Sequence, residues 1–145
     1  MRKFIGLCCF FLVALSASAG EPLVFSVAGG VAIRGYDPVG YFTARKPVLG
    51  SADIAYEWSG ATWQFASTEN RDTFVANPEQ YAPQYGGYCA YAVSRGHTAK
   101  TKPEAWSIVD NKLYLIYSLG VRTRWQRDIP ENIKKGDANW PDVLN

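Results

Sequence analysis

The stretch "FASTENRDTFVANPEQY", Phe65–Tyr81, decides how the chain is read. Ser67 or Thr68 is a natural helix cap, and Glu69 in the first turn suits the positive end of the helix dipole. The spacing predicts a helix whose Phe74 faces inward. Pro78 then opens a second short turn that presents Tyr81. Upstream, "AYEWSGATWQFAS" (Ala55–Ser67) predicts a β-hairpin broken at Ser59-Gly60. Tyr56 and Trp58 share one strand face, and Trp63 and Phe65 share another, so these faces are expected to pack into one core.

Further out, "YDPVGYF" (Tyr36–Phe42) begins a helical turn with Asp37 as cap and Pro38 at its first position. "VFSVAGGVAIRG" reads as an extended segment broken at Gly29-Gly30. "AWSIVDNKLYLIYS" (Ala105–Ser118) is a second hairpin turning at Asp110-Asn111. Ser118 caps a closing helix in which Val121, Trp125 and Ile129 fall on one stripe, with Arg122, Arg124 and Arg127 facing water. Pro130 ends or kinks this helix, and Asp128 with Glu131 caps a second short helix carrying Ile133. Trp140 is expected to pin down the tail. The expected fold class is α+β: two β-hairpins, several short helices and a C-terminal helical extension.

The N-terminus reads as a secretory signal. Arg2 and Lys3 precede the apolar run "FIGLCCFFLVAL", and Ala17-Ser18-Ala19 forms a small-residue cleavage pattern. That run is too short to span a bilayer. The domains are therefore read as 1–19 signal peptide, 20–35 lead-in and 36–145 folded domain. A secreted or periplasmic location is expected, with no lipid anchor and no membrane insertion after cleavage. Residues 20–145 carry 13 basic against 13 acidic side chains, so no nucleic-acid partner is indicated. Cys8 and Cys9 leave with the signal, and the lone Cys89 cannot form an internal disulfide. Stability must come from packing, for which five Trp and nine Tyr are the material.

By these motifs the chain resembles a YHS domain. The matching segments are "DPVGYF" (37–42), "GATWQFAS" (60–67) and "FASTENRDTFVANPEQY" (65–81), about a third of the chain. With "GGYCAYA" and the second hairpin, it is similar to stand-alone exported bacterial YHS proteins. The resemblance implies a small treble-clef-like scaffold that holds metal through cysteines. Carried over position by position, those cysteines are Gly40, Ala66 and Asn70 here. Gly and Ala have no ligand atom, and Asn is a poor ligand for a soft metal. The scaffold is expected to be kept and its thiolate site lost.

"GGYCAYAVSRGH" (Gly86–His97) holds Cys89 and the chain's one histidine. Eight residues span roughly 26 Å as strand or about 12 Å as helix, whereas metal bonds keep ligand backbones within about 10 Å. The turn residues Ser94-Arg95-Gly96 come too late to bring His97 back to Cys89, so a direct Cys89–His97 pair is not expected. Cys89 is read either as a small buried residue in a tightly packed strand or as a thiolate served by distant residues. His97 reads first as a solvated loop histidine. Some proteins that this chain resembles are selenoproteins, with GGYC the natural place for the selenium, which implies redox or soft-metal chemistry.

No phosphate loop, nucleotide fingerprint or nucleophile elbow is present, and no catalytic residue is assigned. The leading expectation is a non-enzymatic binding protein using Cys89 for copper, another soft metal ion or a thiol-reactive ligand, with Tyr88, Tyr91 and His97 lining the site. A protein or small-ligand interaction module with a structural cysteine, and a small thiol redox enzyme, are the alternatives. The expected partner is a small ligand, a metal ion or a periplasmic protein.

Overall fold

A computed structural model describes residues 20–145; the expected signal peptide, with Cys8 and Cys9, lies outside the described residues. The architecture is mixed α+β, with two small sheets and a set of short helices. Strands β1 (Ser26–Val27) and β2 (Val31–Ala32) form a small hairpin across Gly29-Gly30. Helix α1 (Gly40–Thr43) follows, then the hairpin β3 (Ser51–Trp58) and β4 (Ala61–Phe65). Ser59 and Gly60 both have left-handed backbones, φ 54° and 77°, as a tight two-residue hairpin turn requires. The lead-in joins this hairpin, because β2 pairs in parallel with β4 and gives the order β1-β2-β4-β3.

Helix α2 (Thr68–Ala76) starts at Ser67, whose hydroxyl accepts from Asn70 N, and α3 (Pro78–Tyr81) starts on its proline. Phe74 of α2 is the hub of the first core. Its ring lies 5.2 Å from both Trp63 and Phe65, 5.7 Å from Trp58 and 6.3 Å from Tyr56. The β3–β4 register, Tyr56 opposite Trp63, delivers these side chains to one face, as the alternation predicts.

The second core is built by α4 (Ala90–Ser94), β5 (Lys102–Val109), β6 (Lys112–Ile116), α5 (Leu119–Trp125) and α6 (Ile129–Asn139). Trp125 is buried against Tyr114, and Trp140 packs on Tyr85 and Tyr88. Gly136 in α6 has a packing reason, since a Cβ there would run into the Tyr85 hydroxyl. Both C-terminal caps occur as predicted: Ser118 accepts from Val121 N, and Asp128 accepts from Glu131 N.

Two expectations need correction. Arg122 does not simply face water; it is half-buried and donates through Nη1 to Trp106 O at 3.1 Å. The end of β5 runs close enough to α5 for the guanidinium to cap a strand carbonyl, a tertiary contact invisible to helix periodicity. Cys89 does not lie in a strand; it precedes α4, because three successive left-handed residues (Tyr85, Gly86 and Gly87) turn the chain before it.

Several tyrosines are held neutral by this packing. Burial, with the Glu21 carboxylate adding, pushes the Tyr88 hydroxyl up to about 12; burial, with Asp137 and Asp110 adding, does the same for Tyr114. Tyr85 rises further, through burial and then its hydrogen bond to Asp137, and Tyr41 also rises, through burial and then Tyr36 and Glu104. Below pH 10 these hydroxyls are protonated in both folded and unfolded chains, so the stability is fully present. Above it the unfolded chain releases protons that the native chain keeps, and stability falls as pH climbs toward 12. Alkaline titration should therefore show part of the phenolate absorbance arising in the same transition as loss of circular dichroism. Complete tyrosine ionisation ahead of unfolding would contradict this packing.

Candidate functional site

The most tightly tied polar side chain is Asp37, which is fully buried. Its Oδ1 accepts from Val39 N at 2.9 Å and Gly40 N at 3.3 Å, starting α1 as the Asp-Pro motif predicts. Its Oδ2 accepts from Ala66 N at 2.9 Å and Asn70 Nδ2 at 2.7 Å. One carboxylate thus joins the start of α1, the end of β4 and the first turn of α2. A buried carboxylate is costly unless its lone pairs are filled, and here four N–H donors fill them.

Gly40, Ala66 and Asn70 are the three positions at which the resemblance implies cysteines, and all three touch the same carboxylate. A Cβ at Gly40 would lie 3.0 Å from Val48 Cβ and Cγ2, so the room for a ligand there is filled by valine. The Asn70 amide nitrogen is turned to Asp37. No group of three or more His, Cys, Asp or Glu that could hold a metal ion occurs among the described residues. The inherited position does not fit a metal.

Cys89 lies in the second core and is 1% exposed. The glycines before it are required by close approach. A Cβ on Gly86 would strike Leu23 O, and one on Gly87 would lie 2.7 Å from Ile33 Cγ2. Cys89 N donates to Ala99 O at 3.0 Å, and Val93 N donates to Cys89 O. The sulfur accepts from the backbone N–H of Tyr117 at 3.3 Å.

The three residues expected to line the thiol are Tyr88, Tyr91 and His97. Tyr88 donates to Pro22 O at 2.7 Å, Tyr91 carries the Arg95 guanidinium 4.9 Å above its ring, and His97 is exposed beyond α4. The contact with Tyr117 has no local signal in the sequence, because it depends on how the end of β6 passes α4.

A second feature is a groove of about 590 Å³ between the first hairpin and the C-terminal segment. Trp58, Tyr85 and Trp140 line it, with Glu79, Lys112 and Asp137 at its polar edges.

A profile of the YHS domain matches residues 39–85, taking in α1, the first hairpin, α2, α3 and the turn up to Tyr85. Residues 39–85 are a YHS domain. No curated protein and no solved structure shows a significant match to the chain. The YHS match fits a metal-binding reading in its coarse form, at the level of the family. Cys89 lies four residues beyond the matched YHS segment, and Lys112, Asp137 and Trp140 of the groove lie further beyond it.

Removing the carboxylate should leave four buried or part-buried donors unpaired. Asp37→Ala is expected to cost about 3–4 kcal/mol in denaturant unfolding, against at most about 0.5 kcal/mol for the exposed Asp72→Ala. A double-mutant cycle with Asn70→Ala should return a coupling of about 1–2 kcal/mol. Additive losses at 37 and 70 would contradict the assignment.

Proposed function

We propose that the protein is an exported, non-enzymatic YHS-domain binding protein that takes a soft metal ion such as copper(I), or a thiol-reactive ligand, through Cys89. The coarse metal-binding character of the family supports this reading, and residues 1–19 support export. The observation that carries it is the place of the sulfur. Cys89 Sγ rests against the backbone N–H of Tyr117, a residue 39% exposed, at the link between β6 and α5. Cys89 belongs to the second core and is 1% exposed, so a ligand reaches the sulfur only when this contact opens.

Displacing the Tyr117 N–H frees the sulfur. On binding a soft cation the thiol gives its proton to water and the sulfur becomes the ligand. Among the described residues no second cysteine is present to complete a two-sulfur site. The second donor then belongs to the molecule that delivers or receives the ion, which suits a carrier.

The alternative of an interaction module with a structural cysteine is favoured by one observation, the 1% exposure of Cys89. Thiol titration of the native protein, combined with elemental analysis after copper(I) loading, separates the two. We expect one reactive thiol, one equivalent of copper held, and loss of both in Cys89→Ser. That variant should remain folded, with a stability cost of about 1–3 kcal/mol for the new hydroxyl. A thiol that reacts only in denaturant, with no metal retained, would overturn the proposal in favour of the structural reading.

A further inference from the structure

The groove between the first hairpin and the C-terminal segment has no part in the thiol site, and its chemistry is specific. We propose that it binds a small organic cation: an ammonium group carried on a flat apolar body. Its volume, about 590 Å³, is of the size that small-molecule sites occupy. Trp58 and Trp140, both half-buried, line it with Tyr85, so aromatic surface is open to a ligand. Aromatic faces attract cations through their ring quadrupole, most strongly where water is thinned.

The charges at the edges point the same way. Glu79 and Asp137 are carboxylates, and both are exposed; Lys112 is the single opposing cation among the lining residues. Gln80 Nε2 donates to Asn111 O at 3.0 Å, which holds α3 against the β5–β6 turn and sets Glu79 and Lys112 at one end. Asp137 belongs to the other end. Its Oδ1 accepts from the Tyr85 hydroxyl at 2.9 Å, so the carboxylate is oriented, and the ring of Trp140 packs 6.1 Å from that of Tyr85. An ammonium placed there meets an oriented carboxylate beside the rings of Tyr85 and Trp140. The surplus of carboxylates, together with the indole walls, selects cation over anion.

Three probes that share one ring and differ in charge test this on the full chain: phenethylamine, phenethyl alcohol and 3-phenylpropionate, titrated by calorimetry at neutral pH. Phenethylamine should bind at least about tenfold more tightly than the alcohol, and the propionate should bind weakest. Asp137→Asn keeps an acceptor for Tyr85 while removing the charge, and should weaken phenethylamine about tenfold with an unchanged melting temperature. Lys112→Gln should leave phenethylamine binding intact or strengthen it. Equal binding of the amine and the alcohol, or no binding of any probe, would overturn the proposal. So would tightest binding by 3-phenylpropionate with its loss in Lys112→Gln.

Discussion

Four hydrogen bonds to one buried carboxylate hold the N-terminal half of this protein together. Asp37 sits where α1, β4 and α2 meet, segments that no other single side chain ties so closely. In a metal-held scaffold of this kind, ligands from those segments would converge on an ion. Here the polarity of the arrangement is reversed: the anion is in the middle, and the chain presents N–H groups to it. The electrostatic logic is the same, because a central charge satisfied from several directions fixes the relative placement of elements too short to be stable alone.

Aromatic packing supplies the rest of that half. Phe74, delivered by a helix capped by Ser67, contacts four rings of the β3–β4 hairpin. The Asp37 network and the Phe74 cluster both engage the same side of α2, through Asn70 and, one turn on, Phe74. Together they close this half of the fold through hydrogen bonds and ring packing. The binding chemistry we propose sits elsewhere, at Cys89 and in the Trp58–Trp140 groove, both of which draw on residues beyond the YHS segment.

Local chemistry was legible where it acts over a few residues. Ser67, Ser118 and Asp128 cap as their spacing predicts, and Ser59-Gly60 and Asp110-Asn111 turn with left-handed backbones. That Gly40 and Ala66 offer no ligand atom could also be read directly. What these positions contact could not, since the bonds from Asp37 to Ala66 and Asn70 cross about thirty positions of chain. Cys89 shows the same limit. Its alternation with small and aromatic neighbours suggested a strand, but the left-handed run Tyr85–Gly87 redirects it into α4. Its polar contact comes from Tyr117, 28 residues away. The groove depends on five remote segments meeting, from Leu23 to Trp140, and leaves no trace in any one of them.

That the Asp37 carboxylate holds this half of the fold without a metal is tested most directly by thermal unfolding of the Cys89→Ser variant, which lacks the proposed thiol ligand, with and without a strong chelator. Unchanged melting temperature, and full refolding in metal-free buffer, is the result this account predicts. A melting temperature that drops on chelation and recovers on adding back an ion would contradict it.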